Sequence, residues 1–358
     1  MANTIVGLEI TEEGIRAAEV TTGKQPTIVA YGSVPLPAGA AKDSEVFDTD
    51  AVVLALRQLW SRAGIKGKNV VLGIGSRRIL VRDYTTQAMR PDLLAQALPF
   101  QVQDLLPVPA DQAVLDFYPV SQEGDQITGL LVAAVAETVQ DLVDTVGKAR
   151  IEVDVVDLAP FALARAVSRV AAAGETIAAL HLGDHTSYVV VVQDHVPRFV
   201  RIIPIDIATA AVDAREGART DEAAAEHGAS VDEILEAVPA GSAGTGGEVP
   251  LRRRSAARAA ARPIVGMTAA AVDDLVTRLG STLRFYADRS IDAPVTRVLI
   301  SGAGAAVDGI PAALAASLPL PVEVLAASGV FASKVGFASP DDDLNLLTTA
   351  GLGLGGDR

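Results

Sequence analysis

The chain has 358 residues, of which 49% are hydrophobic, 21% charged and only 4% aromatic, so its core is aliphatic and large enough to stand without cross-links. Cysteine is absent, which excludes disulfide frameworks, thiolate metal sites, iron–sulfur clusters and cysteine nucleophiles. A formal net charge of −14 argues against nonspecific binding to nucleic acid or anionic lipid across the whole surface.

The opening MANTIVGLEITEEG carries Glu9, Glu12 and Glu13 where a signal peptide would be apolar. The longest apolar run, Leu130 to Ala136, falls far short of the ~20 residues of a membrane helix. The expected compartment is the cytoplasm. Three β-rich runs, Ile5–Ile10, Arg16–Thr21 and Thr27–Val34, are separated by turn residues and predict a meander. Val52, Leu56, Leu59, Trp60 and Ala63 then fall at helical spacing over Asp48–Ala63, with Gly64 as a stop, before a strand over Val70–Ile74.

From Ile79 to Asp157 the pattern reads strand (Ile79–Tyr84), helix (Pro91–Leu105), strand (Val114–Val120), strand (Ile127–Ala134), helix (Thr138–Ala149) and strand (Val153–Leu158). This βαββαβ order predicts a self-contained small unit. A helical stripe through Phe161, Ala164, Val167 and Val170 follows and ends near Gly174. The opening pattern then returns as Ile177–Leu182, Tyr188–Gln193 and Val196–Ile203. Two such copies predict an internally duplicated α/β architecture whose halves face one another across a cleft.

Gly241–Gly247 is almost all small residues and leads to Arg252, Arg253, Arg254, Arg258 and Arg262, the pattern of a flexible linker running into a basic segment. A helix carries Val272, Leu275, Val276, Leu279, Leu283 and Tyr286 on one side. Val298–Ile300 is a strand, Ser301-Gly302-Ala303-Gly304 a loop before a helix from about Pro311, and Val322–Leu325 a further strand.

The turns Thr11–Gly14 and Gly183–Ser187 occupy matching places in the two copies, and backbone N–H groups of such turns hold phosphate oxygens. In the Ser301–Gly304 loop the glycines let backbone approach a flat ring or ribose. Each glycine turn alone is more often an ordinary hairpin; their joint order along the chain raises the nucleotide reading. His181 and His185 with Asp184 invite a metal reading, but a strand and a turn do not stack i and i+4 on one face. No Gly-x-Ser-x-Gly elbow occurs.

Val6-Gly7-Leu8-Glu9-Ile10 with Ile15–Val20, Leu106-Pro107-Val108-Pro109 before Val114–Phe117, Val156–Phe161, the Leu182-Gly183 turn with Thr186, and Ser301–Gly304 through Gly309 together resemble the PilM family of type IV pilus assembly, relatives of the division protein FtsA. The resemblance covers nearly the whole chain. It implies a duplicated actin-like (ribonuclease H-like) α/β fold with an inserted βαββαβ subdomain. The implied division is a first repeat over 1–78 with 158–176 and 338–358, an inserted partner-binding unit over 79–157, and a second repeat over 177–337. The second repeat includes a peripheral helical part over 207–290 with a flexible Gly/Arg-rich segment at 240–263.

The resemblance also implies ATP between the repeats, contacted by Glu9, Thr11, Gly14, Arg16, Gly183, Thr186, Gly302 and Gly304, with Glu9 holding magnesium through water. It further implies a scaffold role, docking to the inner-membrane pilus complex by binding the cytoplasmic N-terminal tail of a PilN-like membrane protein in the cleft between the first repeat and the inserted unit. Arg90, Gln101 and Asp104 are the candidate contacts there. The enzymatic alternative is a small-molecule kinase of the same superfamily.

Several positions depart from the family pattern. Thr11 replaces a glycine and Glu12-Glu13 follow it, placing two carboxylates where a phosphate would be repelled. His181 replaces an aspartate, and a neutral imidazole is a poor magnesium ligand. Asp206-Ile207 lacks an expected glycine, Ala303 replaces another, and Ala327-Ser328 stands for Asn-Pro. At about 1 kcal/mol or more per weakened contact, nucleotide affinity falls by orders of magnitude. Arg16 partly offsets the added acids.

Overall fold

The computed structural model describes residues 3–217 and 267–355. The Gly241–Gly247 linker and the arginine cluster at Arg252–Arg262 lie outside the described residues. The chain opens with β1 (Thr4–Ile10), β2 (Gly14–Thr21) and β3 (Thr27–Pro35), followed by a small hairpin of β4 (Ala41–Lys42) and β5 (Glu45–Val46). Helix α1 (Thr49–Ala63) follows: the Asp48 carboxylate accepts from the Ala51 N–H at 3.0 Å, and Gly64 ends it in the left-handed region at φ 67°. Strand β6 (Asn69–Ile74) completes this part.

Next come β7 (Leu80–Gln87), α2 (Pro91–Gln101), β8 (Ala113–Glu123), β9 (Gln126–Val135), α3 (Ala136–Lys148), β10 (Glu152–Leu158) and α4 (Ala159–Ser168). Helix α2 stops earlier than its apolar pattern suggests, giving way to a tight turn at Gln103–Leu105. Pro107 keeps the helix from resuming after that turn, because it holds Leu106 in extended backbone (φ −88°, ψ 144°). The second half contains β11 (Thr176–Leu182), β12 (Thr186–Gln193), β13 (Val196–Pro204), α5 (210–217), α6 (Ala269–Arg289), β14 (Arg297–Ser301), α7 (Ile310–Ser317), β15 (Val322–Val324), β16 (Ala332–Ser333) and α8 (Pro340–Leu352).

The first sheet runs β10-β6-β1-β2-β3-β16 and the second β13-β12-β11-β14-β15. Setting β16 aside, both have one order: within each repeat the third strand is followed by the second, first, fourth and fifth. In both, the first three strands are antiparallel, and the fourth lies parallel to the first. This is the expected duplication.

The same comparison redraws the unit expected over 79–157. Strand β10 pairs parallel with β6, from Glu152↔Asn69 to Leu158↔Ile74, so it closes the first sheet. Helix α3 packs on β10, α1 and β5 and corresponds to α7 of the second repeat. The sheet of the inserted part is only β7-β9-β8, with its own small core of Leu94, Leu98, Val102 and Leu131. As the edge strand beside β6, β10 lays the half-buried Val153 and Val156 on the large core and buries Leu158. The β7–β9 pairing puts Leu80 opposite Ala133, so the insertion leaves and re-enters the repeat at one place.

Helices α4 and α8 exchange lobes. Helix α4 lies against β11, β12 and β13, whereas α8 lies against β1, β2 and β6. Every α4 residue except Arg165 is buried, as expected of a helix apolar all round. The two helices pack on each other where Gly351 sits: a Cβ there would lie 2.3 Å from the Ala162 carbonyl oxygen.

Candidate functional site

The β1–β2 and β11–β12 turns meet across the gap between the repeats. Thr11 closes the first turn internally. Its N–H and hydroxyl both donate to the Gly14 carbonyl at 2.9 Å, and the Gly14 N–H donates to Thr11 Oγ1 at 3.3 Å. Gly14 is required by proximity to β3, since a Cβ would stand 2.6 Å from the Val34 carbonyl oxygen. Gly183 is similarly fixed, 2.5 Å from the Thr186 carbonyl by the same measure. The turns therefore use part of their own hydrogen-bonding capacity and space on themselves.

Glu12 and Glu13 project from the first turn, and cations of the second repeat meet them. His185 Nε2 lies 2.8 Å from Glu13 Oε1, and its Nδ1 lies 2.8 Å from Asp206 Oδ1. Arg215 Nη1 donates to Glu13 Oε1 at 2.5 Å and to the Glu12 carbonyl at 3.0 Å, while Nη2 donates to the Pro37 carbonyl at 3.3 Å. Lys42 Nζ approaches Glu12 at 3.3 Å. The hydrogen bond to Glu13 does most to push the His185 pKa up to about 9, against burial, with Asp206 and the charge of Glu12 adding to it. The imidazole is thus an imidazolium at neutral pH, donating from both nitrogens. The Glu13 carboxyl is lowered by His185 and Arg215 despite burial that opposes the shift.

Behind this mouth lies a polar interior. Glu9 faces Arg16 across the β1–β2 pair and accepts a short hydrogen bond from Thr349 of α8. Burial raises the Glu9 pKa, with Arg16 and Thr349 opposing. His181 stacks on Tyr188 with ring centroids 4.7 Å apart. The Tyr188 hydroxyl donates to Thr348 at 3.0 Å, and Thr348 Oγ1 lies 3.3 Å from His181 Nδ1. Burial, and secondarily the Arg16 charge, lower the His181 pKa to about 3, so this imidazole is neutral.

Glu9, Thr11, Arg16, Gly183 and Thr186 line one cleft, together with Lys42, Ser76, His181, Asp184, His185 and Tyr188. Gly302 and Gly304 do not line it. Gly302, at φ 84°, lets the loop lie against Leu182, whose carbonyl oxygen would be 2.4 Å from a Cβ. Gly304 packs under Leu182 and Ile207. Two N–H groups of that loop are taken by α8: Ala303 donates to Asn345 Oδ1 at 2.9 Å and Gly302 to the Leu344 carbonyl at 3.2 Å.

This cleft is small. Its enclosed volume is about 80 Å³, against the ~300–1,000 Å³ of pockets that take cofactor-sized ligands. Glu9 is buried on Thr349. Among the described residues no group of three His, Asp or Glu side chains is arranged to hold a metal ion.

Sequence reasoning placed Glu12, Glu13 and His181 here but missed what answers them. Arg215 is 202 positions from Glu13 and lies on α5, in a stretch with no motif. His185, read only as part of an unsuitable metal pair, carried the one available signal: a titratable residue at the tip of a hairpin matching the one that bears Glu13.

Two sheets of one strand order, two helices crossing between them and a polar cleft between paired hairpins define an actin-like protein. The sequence matches the family of "Type IV pilus assembly protein PilM" over residues 7–202, more than half the chain, and the protein belongs to that family. Among solved structures, the fold is similar to a PilM–PilN type IV pilus biogenesis complex at TM-score 0.75 and 20% identity, covering 99% of this chain and 98% of that one. It is also similar to the ethanolamine utilization protein EutJ from Carboxydothermus hydrogenoformans at TM-score 0.50 and 12% identity, covering 99% and 90%. No curated protein matches the sequence.

Proposed function

We propose that this protein is a cytoplasmic scaffold of type IV pilus assembly that holds the N-terminal tail of a PilN-like membrane protein, and that its nucleotide affinity is impaired. The observation that carries the first half is the end-to-end likeness to a PilM–PilN complex, joined to membership of the PilM family. No helix of the described residues is long and apolar enough to cross a membrane; on this reading the protein reaches the inner-membrane complex through its partner. The small cleft volume and the ion pairs at its mouth support the second half.

The tail is assigned to the junction of the inserted sheet with the first repeat. An apolar crevice there is lined by Ile74, Ile79, Ala134, Val139 and Leu142, with Ser44 and Arg78 at its rim. It suits an extended peptide that inserts one aliphatic side chain while its backbone stays in solvent. Of the contacts expected on the inserted helix, Gln101 accepts from Tyr84 and Thr86, Arg90 pairs with Asp92, and Asp104 is exposed.

Capture of a synthetic PilN-type tail peptide by the full chain tests this. Val139→Glu, at a half-buried position, should abolish capture without unfolding the protein. Replacing 80–135 by a short glycine-serine linker should abolish it too, and the adjacency of Leu80 and Ala133 makes that excision mild. Capture surviving both changes would remove the assignment. For the nucleotide, calorimetric titration with ATP and magnesium should give no saturable heat at micromolar ligand; tight, magnesium-dependent binding would overturn the impaired-site reading.

A further inference from the structure

Glu13 sits on a surface hairpin, yet its side chain is only 7% exposed. It is covered because it crosses the gap. Its turn is fixed to the first repeat by the Leu36 N–H donating to the Glu13 carbonyl at 3.1 Å, and both side chains that grip its carboxylate come from the second repeat. Each of those is held in turn, His185 by Asp206 and Arg215 by the Glu12 and Pro37 carbonyls. Three carboxylates (Glu12, Glu13, Asp206) face three cations (His185, Arg215, Lys42), and Asp184 adds a further carboxylate to the same cleft. An incoming polyphosphate would have to displace a carboxylate and would leave a net negative charge behind.

We propose that Glu13 is a built-in substitute for a phosphate: its carboxylate, held by His185 and Arg215, ties the two repeats across the cleft mouth and keeps the protein closed with no nucleotide bound. Exposed ion pairs contribute little. Here, however, one buried carboxylate takes charge-assisted hydrogen bonds from two cations, the arrangement in which such bonds are strong and loss of one partner is costly. The proposal rests on the impaired-nucleotide reading and extends it: closure is constitutive rather than ligand-gated.

Closure also sets the inserted unit, which touches the second repeat where Arg198 Nη1 donates to the Val120 carbonyl at 3.2 Å and Arg289 meets Asp83 at 3.4 Å. The tie therefore keeps the partner-binding unit in one place relative to both repeats.

The absence of cysteine makes the test direct. Spin labels on Arg62→Cys in α1 and Ala316→Cys in α7, both exposed, report the distance between the repeats in the full chain. Without nucleotide, the otherwise unaltered protein should give one narrow distance. Glu13→Gln, isosteric and uncharged, should lengthen and broaden it, and so should Arg215→Gln. Asp308→Asn, which removes an exposed carboxylate outside the cluster, should not.

Raising the pH of the unaltered protein is a second arm. His185 faces Glu13 and Glu12 from the first hairpin, Asp206 beyond β13, and Arg215 across Glu13. Its raised pKa means that its contribution is complete below the unfolded value near 6.5 and is lost as pH passes about 9. The distance should broaden over that interval. Identical distributions for Glu13→Gln and the unaltered protein would overturn the tie. Tight ATP binding by the unaltered protein would instead remove the impaired-site reading, so the two failures are read in separate measurements.

Discussion

Replacing Arg16 with methionine should destabilise the protein by about 1–3 kcal/mol at neutral pH, because it takes the neighbouring positive charge away from the buried Glu9 carboxylate. Glu9 would keep only the Thr349 hydroxyl in a place where burial already raises its pKa. A buried carboxylate without a cation takes up a proton instead of staying charged, so the penalty has a pH signature. In the variant the folded-state pKa of Glu9 rises further above its unfolded value of 4.5. The group then costs nothing below that value, and stability falls as pH rises toward the folded pKa, by up to about 1.4 kcal/mol per unit.

Denaturant unfolding followed through the single tryptophan, Trp60 on α1, would show the variant close to its parent at pH 5 and well below it at pH 8. Glu9→Gln combined with Arg16→Met should recover much of the loss, since the uncompensated charge is then gone. A pH-independent loss would mean that Arg16 acts by packing alone.

The second large effect is expected at Gly351. A Cβ there lies 2.3 Å from one backbone oxygen of α4 and 2.9 Å from the attached carbonyl carbon, so no side-chain rotation relieves the clash and the crossing helices must separate. Gly351→Val should cost about 3 kcal/mol or more, at or beyond the upper end of usual overpacking penalties. It should also lower soluble yield. Gly147 in α3 meets nothing within 4 Å, and Gly147→Ala should stabilise the same protein by about 0.5–1 kcal/mol through helix propensity. Melting temperatures of the two variants moving in opposite directions would separate close approach from a general intolerance of glycine replacement.

The duplication was legible in the sequence because each meander carries its own turn residues and apolar alternation, which are local signals. The place of β10 was not, because Val153–Leu158 reads as a strand whichever sheet it joins; its partner β6 lies beyond the whole inserted unit. The pairing of β16 with β3 left no trace, since two residues, Ala332 and Ser333, are too few for periodicity.

At the candidate site, the acids on the first hairpin were visible as acids, but their meaning depended on residues far along the chain. Read locally, Glu12 and Glu13 only repel; with Arg215 and His185 in place they also attach. Gly302 and Gly304 show the converse. Glycine after a strand fits both a ligand cradle and a tight backbone crossing, and only the position of Leu182 distinguishes them.

The short strand β16 carries a mechanical consequence. After β15 the chain leaves the second sheet, lays Ala332 and Ser333 on the edge of the first beside Thr27 and Ile28, and enters α8, which is packed against α4. Two bodies that part at the cleft mouth and at the inserted unit while keeping these two separated anchor points retain one easy degree of freedom, rotation about the line through both. Any gaping of the lobes must therefore swing about the axis from the β16 edge to the α4–α8 crossing, and sideways shear would strip β16 from its neighbour.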